Sequence, residues 1–296
     1  MESITEQESI NSDSEIATNN RQQNRSSKTI ANTFLKYSAM LWFIAILAGQ
    51  WLFFYYIMAF YGFSVINDNM EIWNRWEPLG NTPYHAGDTA GNLAFAAHAI
   101  GAGIVAFGGA IQLIPKVRAI APKFHKINGY VYLITVFFLA ISGFYLSWVR
   151  GSNPSFLAAV GTSINGFLIL IFAFLTLKTA MARKIANHRK WAIRLFLVSN
   201  AQWFLRVGVF AYMISGTVVG ANPAFGDPFF PFWTFGCFLV PLIAAELYFY
   251  ASEKRSVRLK YAAAVVITLL TLFMAIGVFG LTPFLMQVMS GEPISF

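Results

Sequence analysis

The chain has 296 residues, of which 57% are hydrophobic and 11% are charged, and its formal net charge is +8. Soluble globular domains carry about 25% charged residues, so this composition excludes a soluble domain and predicts an integral membrane protein. The basic residues lie in short clusters between apolar segments, which is typical of membrane topology signals and argues against nucleic acid as a partner. The single cysteine, Cys237, excludes an intramolecular disulfide and any CxxC motif.

The chain begins with a polar stretch, and we predict a disordered cytoplasmic tail at 1–35 because this stretch cannot bury a core. The remainder, 36–296, is predicted to form a single transmembrane domain. It contains seven apolar segments, each near the about 20 residues that a helix needs to cross the hydrocarbon. These segments are approximately 38–62, 90–114, 128–149, 157–178, 191–215, 229–250 and 261–286. The expected fold is therefore an all-α polytopic helical bundle.

The distribution of Lys and Arg predicts the orientation of this bundle. The region before the first span and the second, fourth and sixth connections hold four Lys or Arg residues each, whereas the other connections hold only Arg75 and Arg150. Connections rich in Lys and Arg stay on the cytoplasmic side. We therefore predict a multi-pass protein of the cell inner (plasma) membrane, with its N-terminus inside and its C-terminus outside.

The first outer connection, about 63–89, is long and rich in aromatic and acidic residues. Aromatic residues at this level usually anchor a protein at the lipid headgroups, and we favour that interpretation over a lid that covers an outer cavity. The connection also contains two candidate site residues, His85 and Asp88. Asp88 is the carboxylate nearest to the outer half of the second span, so it is the candidate counter-ion there.

His98 lies near the middle of the second span, within a row of small residues spaced four apart. The row is completed by Ala90, Ala94, Ala102, Ala106 and Ala110. Small residues at this spacing allow a second helix to approach closely, so we expect His98 to point into the bundle and away from lipid. An ionisable side chain within a span marks a functional site by default, which makes His98 the first candidate.

Four more polar residues reach a similar level when depth is counted at about 1.5 Å per residue. They are Ser142, Asn165, Gln202 and Arg206. We predict that they and His98 form a polar pocket in the outer half of the membrane, suited to a small anionic or hydrogen-bonding ligand. The alternative is that Arg206 extends to the outer interface and that His98 only hydrogen-bonds between helices.

His125 and His188 occupy equivalent places, each in a basic inner connection just before a span that runs outward. With Arg189 and Arg194 they are candidates for cofactor ligands or for contacts with lipid phosphates. Imidazole binds haem iron, so His125 and His188 form a candidate inner pair for haem b, and His85 with His98 a candidate outer pair. No cluster of carboxylates and histidines has the spacing of another metal site, and none is assigned.

Several motifs between about 90 and 215 resemble the bacterial family of predicted membrane proteins known as domain of unknown function 2306. They are His98, Gln112-Leu113, Arg118, the HKxxGxxY stretch from His125 to Tyr132, Ser142-Gly143, the HRxWxxR stretch from His188 to Arg194, and Leu205-Arg206. The HRxWxxR stretch is the most specific of them. Two departures are Lys126, where the family usually has arginine, and Ala192, where methionine is common. That family has no settled activity, so the resemblance implies an architecture and a choice of residues, not a reaction.

The sequence leaves several functions open. We favour the binding of a small ligand or cofactor in the pocket around His98 and Arg206, with the lipid bilayer as the surrounding partner. The first alternative is a b-type haem electron carrier that uses paired histidines. The others are a transporter of small solutes and a scaffold without catalysis. No nucleophile elbow, phosphate loop or metalloprotease motif is present, so an enzymatic activity is neither assigned nor excluded.

Overall fold

A computed structural model describes residues 2–79, 82–224 and 227–292 of the chain, with side chains from Ser27 onward except at 76–79. Every element in these ranges is helical, which confirms the predicted all-α class. The helices are α1 (Glu2–Ile57), α2 (Phe63–Ile66), α3 (Thr89–Gln112), α4 (Pro115–Ile120), α5 (Pro122–Trp148), α6 (Phe156–Met181), α7 (Ile185–Ser199), α8 (Ala201–Val218), α9 (Phe229–Glu253) and α10 (Val257–Ser290). A π-helical turn at Met58–Gly62 and a 3₁₀ helix at Met70–Leu79 lie between α1 and α3.

Six helical segments in the described part of the chain are long and apolar enough to cross a membrane. They are Ser27–Ile66, Thr89–Gln112, Pro122–Trp148, Phe156–Met181, Phe229–Glu253 and Val257–Ser290. Each overlaps one predicted span, and together they account for all of the predicted spans except the fifth. The count of seven spans and the placement of the two termini on opposite sides stay predictions.

The fifth predicted span, 191–215, is divided between α7 and α8, with Asn200 at the break. The side-chain amide of Asn200 donates to the carbonyl of Phe196 at 2.7 Å, and its backbone N–H donates to the carbonyl of Val198. Asn165 of α6 donates its own amide to the same Val198 carbonyl at 3.0 Å. Backbone groups in hydrocarbon must find a partner inside the protein, and these two asparagines supply it where the helix is interrupted.

The helices form two compact units. The single transmembrane domain at 36–296 stays a prediction. The smaller unit contains α1 up to Phe43 together with residues 244–271, and its core includes Leu35, Ala251, Ala263, Ala264 and Ile267. Ala31 and Leu35 are buried in a helical segment; they are four residues apart and therefore share one face of the helix. A disordered tail at 1–35 stays a prediction.

The larger unit contains residues 44–243 and the chain from Leu272 onward. In this unit α3 packs against α5, α5 against α6, and α6 against α7. Two glycines of α3 allow close packing: Ile57 and Met58 fill the space where a Cβ of Gly103 would lie, and side chains of α5 and α7 do so at Gly109. A glycine has no side chain, so a neighbouring helix in a membrane can approach it closely. At these two glycines α3 contacts the chain at 57–58, α5 and α7.

The first outer connection packs into the larger unit. Trp73 in its 3₁₀ helix is fully buried, and its ring contacts those of Tyr61 and Phe95. Its indole N–H donates to the hydroxyl of Ser64. A headgroup anchor would lie exposed at the membrane surface. The anchor interpretation is therefore wrong for Trp73, which is a core residue whose polar atom has a partner inside the protein.

Candidate functional site

His98 lies at a groove between α3 and α5 with a volume of about 570 Å³. Small residues of α3, among them Ala94, Ala97 and Gly101, form one wall, and larger side chains of α5 form the other. Nδ1 of His98 lies 2.8 Å from the hydroxyl oxygen of Ser142 on that second wall. The structure therefore brings together two of the five residues that the sequence predicts for a polar pocket.

The hydroxyl of Ser142 has two acceptors within reach, Nδ1 of His98 at 2.8 Å and the carbonyl oxygen of Leu139 at 3.3 Å. It holds one proton and donates to one of them at a time. When it donates to Leu139, Nδ1 of His98 carries a proton and donates to Ser142, which leaves Nε2 as an acceptor. When it donates to Nδ1, the proton of a neutral ring is on Nε2, which then acts as a donor.

Arg206 of α8 does not line this groove. Its guanidinium donates to the backbone carbonyl of Gln202 at 2.9 Å and lies 5.6 Å from the centre of the Phe53 ring. No hydrogen bond joins Arg206 to His98 in the described part of the chain. The side chain of Gln202 is exposed. A shared pocket of His98, Gln202 and Arg206 therefore stays a prediction.

Asn165, the fifth predicted pocket residue, lies at the break between α7 and α8. It is buried, and its amide nitrogen donates a hydrogen bond to the carbonyl of Val198. Its Oδ1 is also buried and has no hydrogen-bond partner among the described residues. Asn165 thus binds the backbone at the break between α7 and α8, and it is absent from the lining of the groove at His98.

Asp88 and His85 belong to a separate hydrogen-bonded network at the N-terminal end of α3. Asp88 caps the helix by accepting from the backbone N–H of Gly91 at 2.9 Å, and it forms an ion pair with Arg150 at 3.3 Å. The side chain of Asn92 accepts a hydrogen bond from the backbone N–H of His85 and donates one to the carbonyl of His85. Its oxygen also accepts a hydrogen bond from the guanidinium of Arg150. The counter-ion of Asp88 is therefore Arg150, not His98 or Arg206, and the side chain of Arg150 is only 4% exposed.

The inner histidines interact electrostatically with each other, and Arg118 acts on His125 as well. Nδ1 of His188 lies 3.0 Å from the carbonyl of Thr176, whereas Nδ1 of His125 is buried and has no hydrogen-bond partner among the described residues. Arg189 is exposed. The guanidinium of Arg194 lies 4.4 Å from the centre of the Trp191 ring, which is a cation–π contact. In the described residues no group of three or more His, Cys, Asp or Glu side chains is arranged to hold a metal ion.

The sequence model of one protein family, described as predicted membrane protein and domain of unknown function 2306, matches residues 95–249. The chain belongs to this family. The match confirms the resemblance inferred from the motifs and contains His98, Ser142, His125, His188 and Arg206. No curated protein and no solved structure was found to match the chain.

Several buried polar residues escape the sequence reasoning; of these, Gln50 of α1 lies outside the region matched to the family. Gln50 is 0% exposed, and neither its amide nitrogen nor its amide oxygen has a hydrogen-bond partner among the described residues. An amide in the middle of an apolar span was a usable signal for it. Arg150 enters the sequence prediction only as a topology signal, because nothing in the sequence shows that the end of α5 lies beside the first turn of α3.

Proposed function

We propose that this protein binds a small ligand with hydrogen-bonding groups in the groove between α3 and α5, through His98 and Ser142. The observation that carries the proposal is the pair itself, a histidine and a serine 2.8 Å apart at a groove whose other lining is largely apolar. Ligand sites are typically concave and apolar, with a few polar groups that orient the ligand. The volume of about 570 Å³ is within the range of such sites.

A structural role alone explains His98 less well. A histidine that only joins two helices needs one ring nitrogen, and Nδ1 serves that purpose. The other nitrogen, Nε2, takes part in none of the hydrogen bonds formed by the described residues. Polar atoms within a membrane are expensive to leave without a partner, so the spare nitrogen favours a ligand.

The test compares the small molecules that copurify with the wild-type protein, His98→Ala and the matched control His85→Ala. His85 lies in an exposed loop, and only its backbone groups form hydrogen bonds among the described residues. We expect a molecule that mass spectrometry detects in the wild type and the control and that falls by about tenfold in His98→Ala, because about 1.4 kcal/mol changes an affinity tenfold. Equal content in all three proteins would contradict the proposal.

The inner histidines favour a second candidate, the binding of haem b by His125 and His188. Histidines that bind a metal usually donate their second ring nitrogen to a carbonyl. The contact of His188 with Thr176 has this form, and it leaves Nε2 of His188 available. An absorption spectrum of protein produced with ample haem tests the idea: we expect a Soret band that disappears in His125→Ala and His188→Ala and remains in His85→Ala. A colourless wild-type protein would rule this candidate out.

A further inference from the structure

We infer that the ligand of the groove between α3 and α5 is a prenyl quinone together with its quinol, held by the ring oxygens at His98. This inference rests on the function proposed above and names the chemical class of the ligand. Three properties of the groove carry it: the side on which it opens, the charge of its lining, and the two hydrogen-bonding states of the His98 and Ser142 pair.

The groove opens toward the side where lipid lies. Phe138, Ile141 and Tyr145 of α5 line it and remain 64%, 47% and 36% exposed, and all three belong to a helix long and apolar enough to span the membrane. Exposed apolar side chains on such a helix face hydrocarbon. A ligand that enters here comes from the bilayer, so it must have an apolar part.

The lining contains no Asp, Glu, Lys or Arg side chain among the described residues. Its polar side-chain groups are those of His98, Ser142, Thr135 and Tyr145, and the hydroxyl of Thr135 donates to the carbonyl of Val131 in its own helix. An ionised head group would lose its hydration without gaining a partner of opposite charge in contact with it. The head group is therefore uncharged, which argues against fatty acids and phospholipids.

His98 and Ser142 present either a hydrogen-bond donor or an acceptor at Nε2, depending on which partner receives the serine proton. A quinone carbonyl needs a donor, whereas a quinol hydroxyl needs an acceptor. The same two residues satisfy both forms through the two tautomers of the neutral ring, each paired with one orientation of the Ser142 hydroxyl, with no change in the packing of α3 and α5. This match to two forms of one head group is what selects quinones among the uncharged lipids.

The shape of the groove suits a flat ring with the start of an isoprenoid tail. The groove follows α3 from Ala90 to Gly101, a length of about 16 Å at about 1.5 Å per residue. The aromatic rings of Phe138 and Tyr145 lie on its α5 wall, and aromatic rings pack well against a flat conjugated ring.

The experiment measures binding of decylubiquinone and decylubiquinol to the full chain in phosphatidylcholine nanodiscs, with farnesol and oleic acid as the other arms. We expect the wild type and Thr217→Ala to bind both quinone forms, and His98→Ala to bind each about tenfold more weakly, since one hydrogen bond of about 1.4 kcal/mol is worth that factor. Thr217 is a matched control because it is on α8 and its hydroxyl donates only within that helix. Farnesol and oleic acid should bind at least tenfold more weakly than the quinone.

A second variant keeps the test decisive if His98→Ala fails to fold. Ala97 is exposed on the α3 wall, so Ala97→Phe fills the groove without removing a hydrogen bond, and it should also abolish quinone binding. Equal or tighter binding of farnesol or oleic acid that depends on His98 would overturn the quinone class and leave the proposed function standing. If no probe and no copurifying molecule depends on His98, both proposals fall.

Discussion

α3 and the pair α7–α8 both carry polar side chains within predicted spans, and they use them differently. α3 is one unbroken helix, Thr89–Gln112, whose first turn is capped by Asp88. Its backbone needs no help from the side chains in the middle of the span, so His98 is left to face the groove. The predicted fifth span is interrupted at Asn200, and the amides of Asn200 and Asn165 bind the carbonyls at the interruption.

The comparison teaches that the continuity of a helix decides whether a polar side chain within a span can bind a ligand or must bind the backbone. Backbone groups in hydrocarbon must have partners. Where the helix is continuous they have them already, and a polar side chain can serve a ligand. Where the helix is broken, the nearest polar side chains serve the backbone first. Equal depth and equal polarity in the sequence do not separate these two cases, and Asn165 and His98 are the examples here.

The prediction with the largest expected effect concerns whether α7 and α8 together cross the membrane. If they do, a topology reporter inserted at Gly220 reads as periplasmic or extracellular, because the crossing places it opposite the inner connection at 182–184. A reporter at 182–184 is the control and should read as cytoplasmic in either case, whereas one in 251–260 reads as cytoplasmic only if α7 and α8 cross. A cytoplasmic reading at Gly220 would mean that the broken helix turns back, and that the chain has an even number of spans.

The ion pair at the outer end of α3 should have the next largest effect. Asp88→Asn keeps a side chain that can cap the helix, but it leaves the buried guanidinium of Arg150 without a counter-ion. We expect a loss of about 3 kcal/mol in the free energy of unfolding, the lower end for a broken buried pair because Asp88 is partly exposed. Reversible unfolding in mixed micelles measures it.

The double variant Asp88→Asn/Arg150→Met is the control for that experiment. Replacing both charges by groups of similar volume is often neutral, so the double variant should recover most of the lost free energy. If Asp88→Asn alone unfolds like the wild type, the pair contributes nothing and the outer network is not what holds α3 to the end of α5.

Asn165→Leu tests whether Asn165 stabilises the break between α7 and α8 without contributing to ligand binding. The variant removes the amide that binds the Val198 carbonyl, and a hydrogen bond between membrane helices is worth about 0.6 kcal/mol on average and up to about 1.7. We expect a destabilisation of about 1 kcal/mol without any change in the ligand content of the groove. A loss of the ligand with unchanged stability would instead place Asn165 in the binding site.

The smallest effect concerns the connection that follows α8. Asp227 accepts from the hydroxyl of Tyr212 at 2.6 Å and from the backbone N–H of Ala224 at 2.9 Å, and these hydrogen bonds, the first above all, lower the pKa of Asp227 below its ordinary value of 3.8. The contribution of Asp227 to the free energy of unfolding is therefore fully present above that ordinary pKa. It is lost as the pH falls through the lower pKa of Asp227 in the folded protein.

Between about pH 5 and 8 the wild type and Asp227→Asn should accordingly show the same pH dependence of thermal stability. Below about pH 4 the wild type alone should lose part of its advantage, measured as a midpoint in detergent solution. A difference in slope near neutral pH would show that Asp227 titrates in another environment, and that the connection does not hold the end of α8 in this way.

The candidate site was predictable in part. The depth count placed His98 and Ser142 at one level, and the spacing of small residues indicated that another helix approaches α3 there; both hold in the groove. The same count grouped Asn165, Gln202 and Arg206 with them, although Asn165 binds the backbone at a helix break and the side chain of Gln202 is exposed. Depth along a span is fixed by the helix rise, whereas the direction of a side chain depends on which neighbour packs where.

The sequence by itself determined that this is a helical membrane protein, because long apolar segments with few charges have no other stable state in a bilayer. It also determined the family, through short motifs in the central part of the chain. Only the tertiary structure decided that Arg150 pairs with Asp88, that Trp73 is buried, and that His98 faces a groove with one ring nitrogen to spare. The physical reason is that a ligand site depends on groups left without a partner after folding, and partners distant in the chain meet only in the folded bundle.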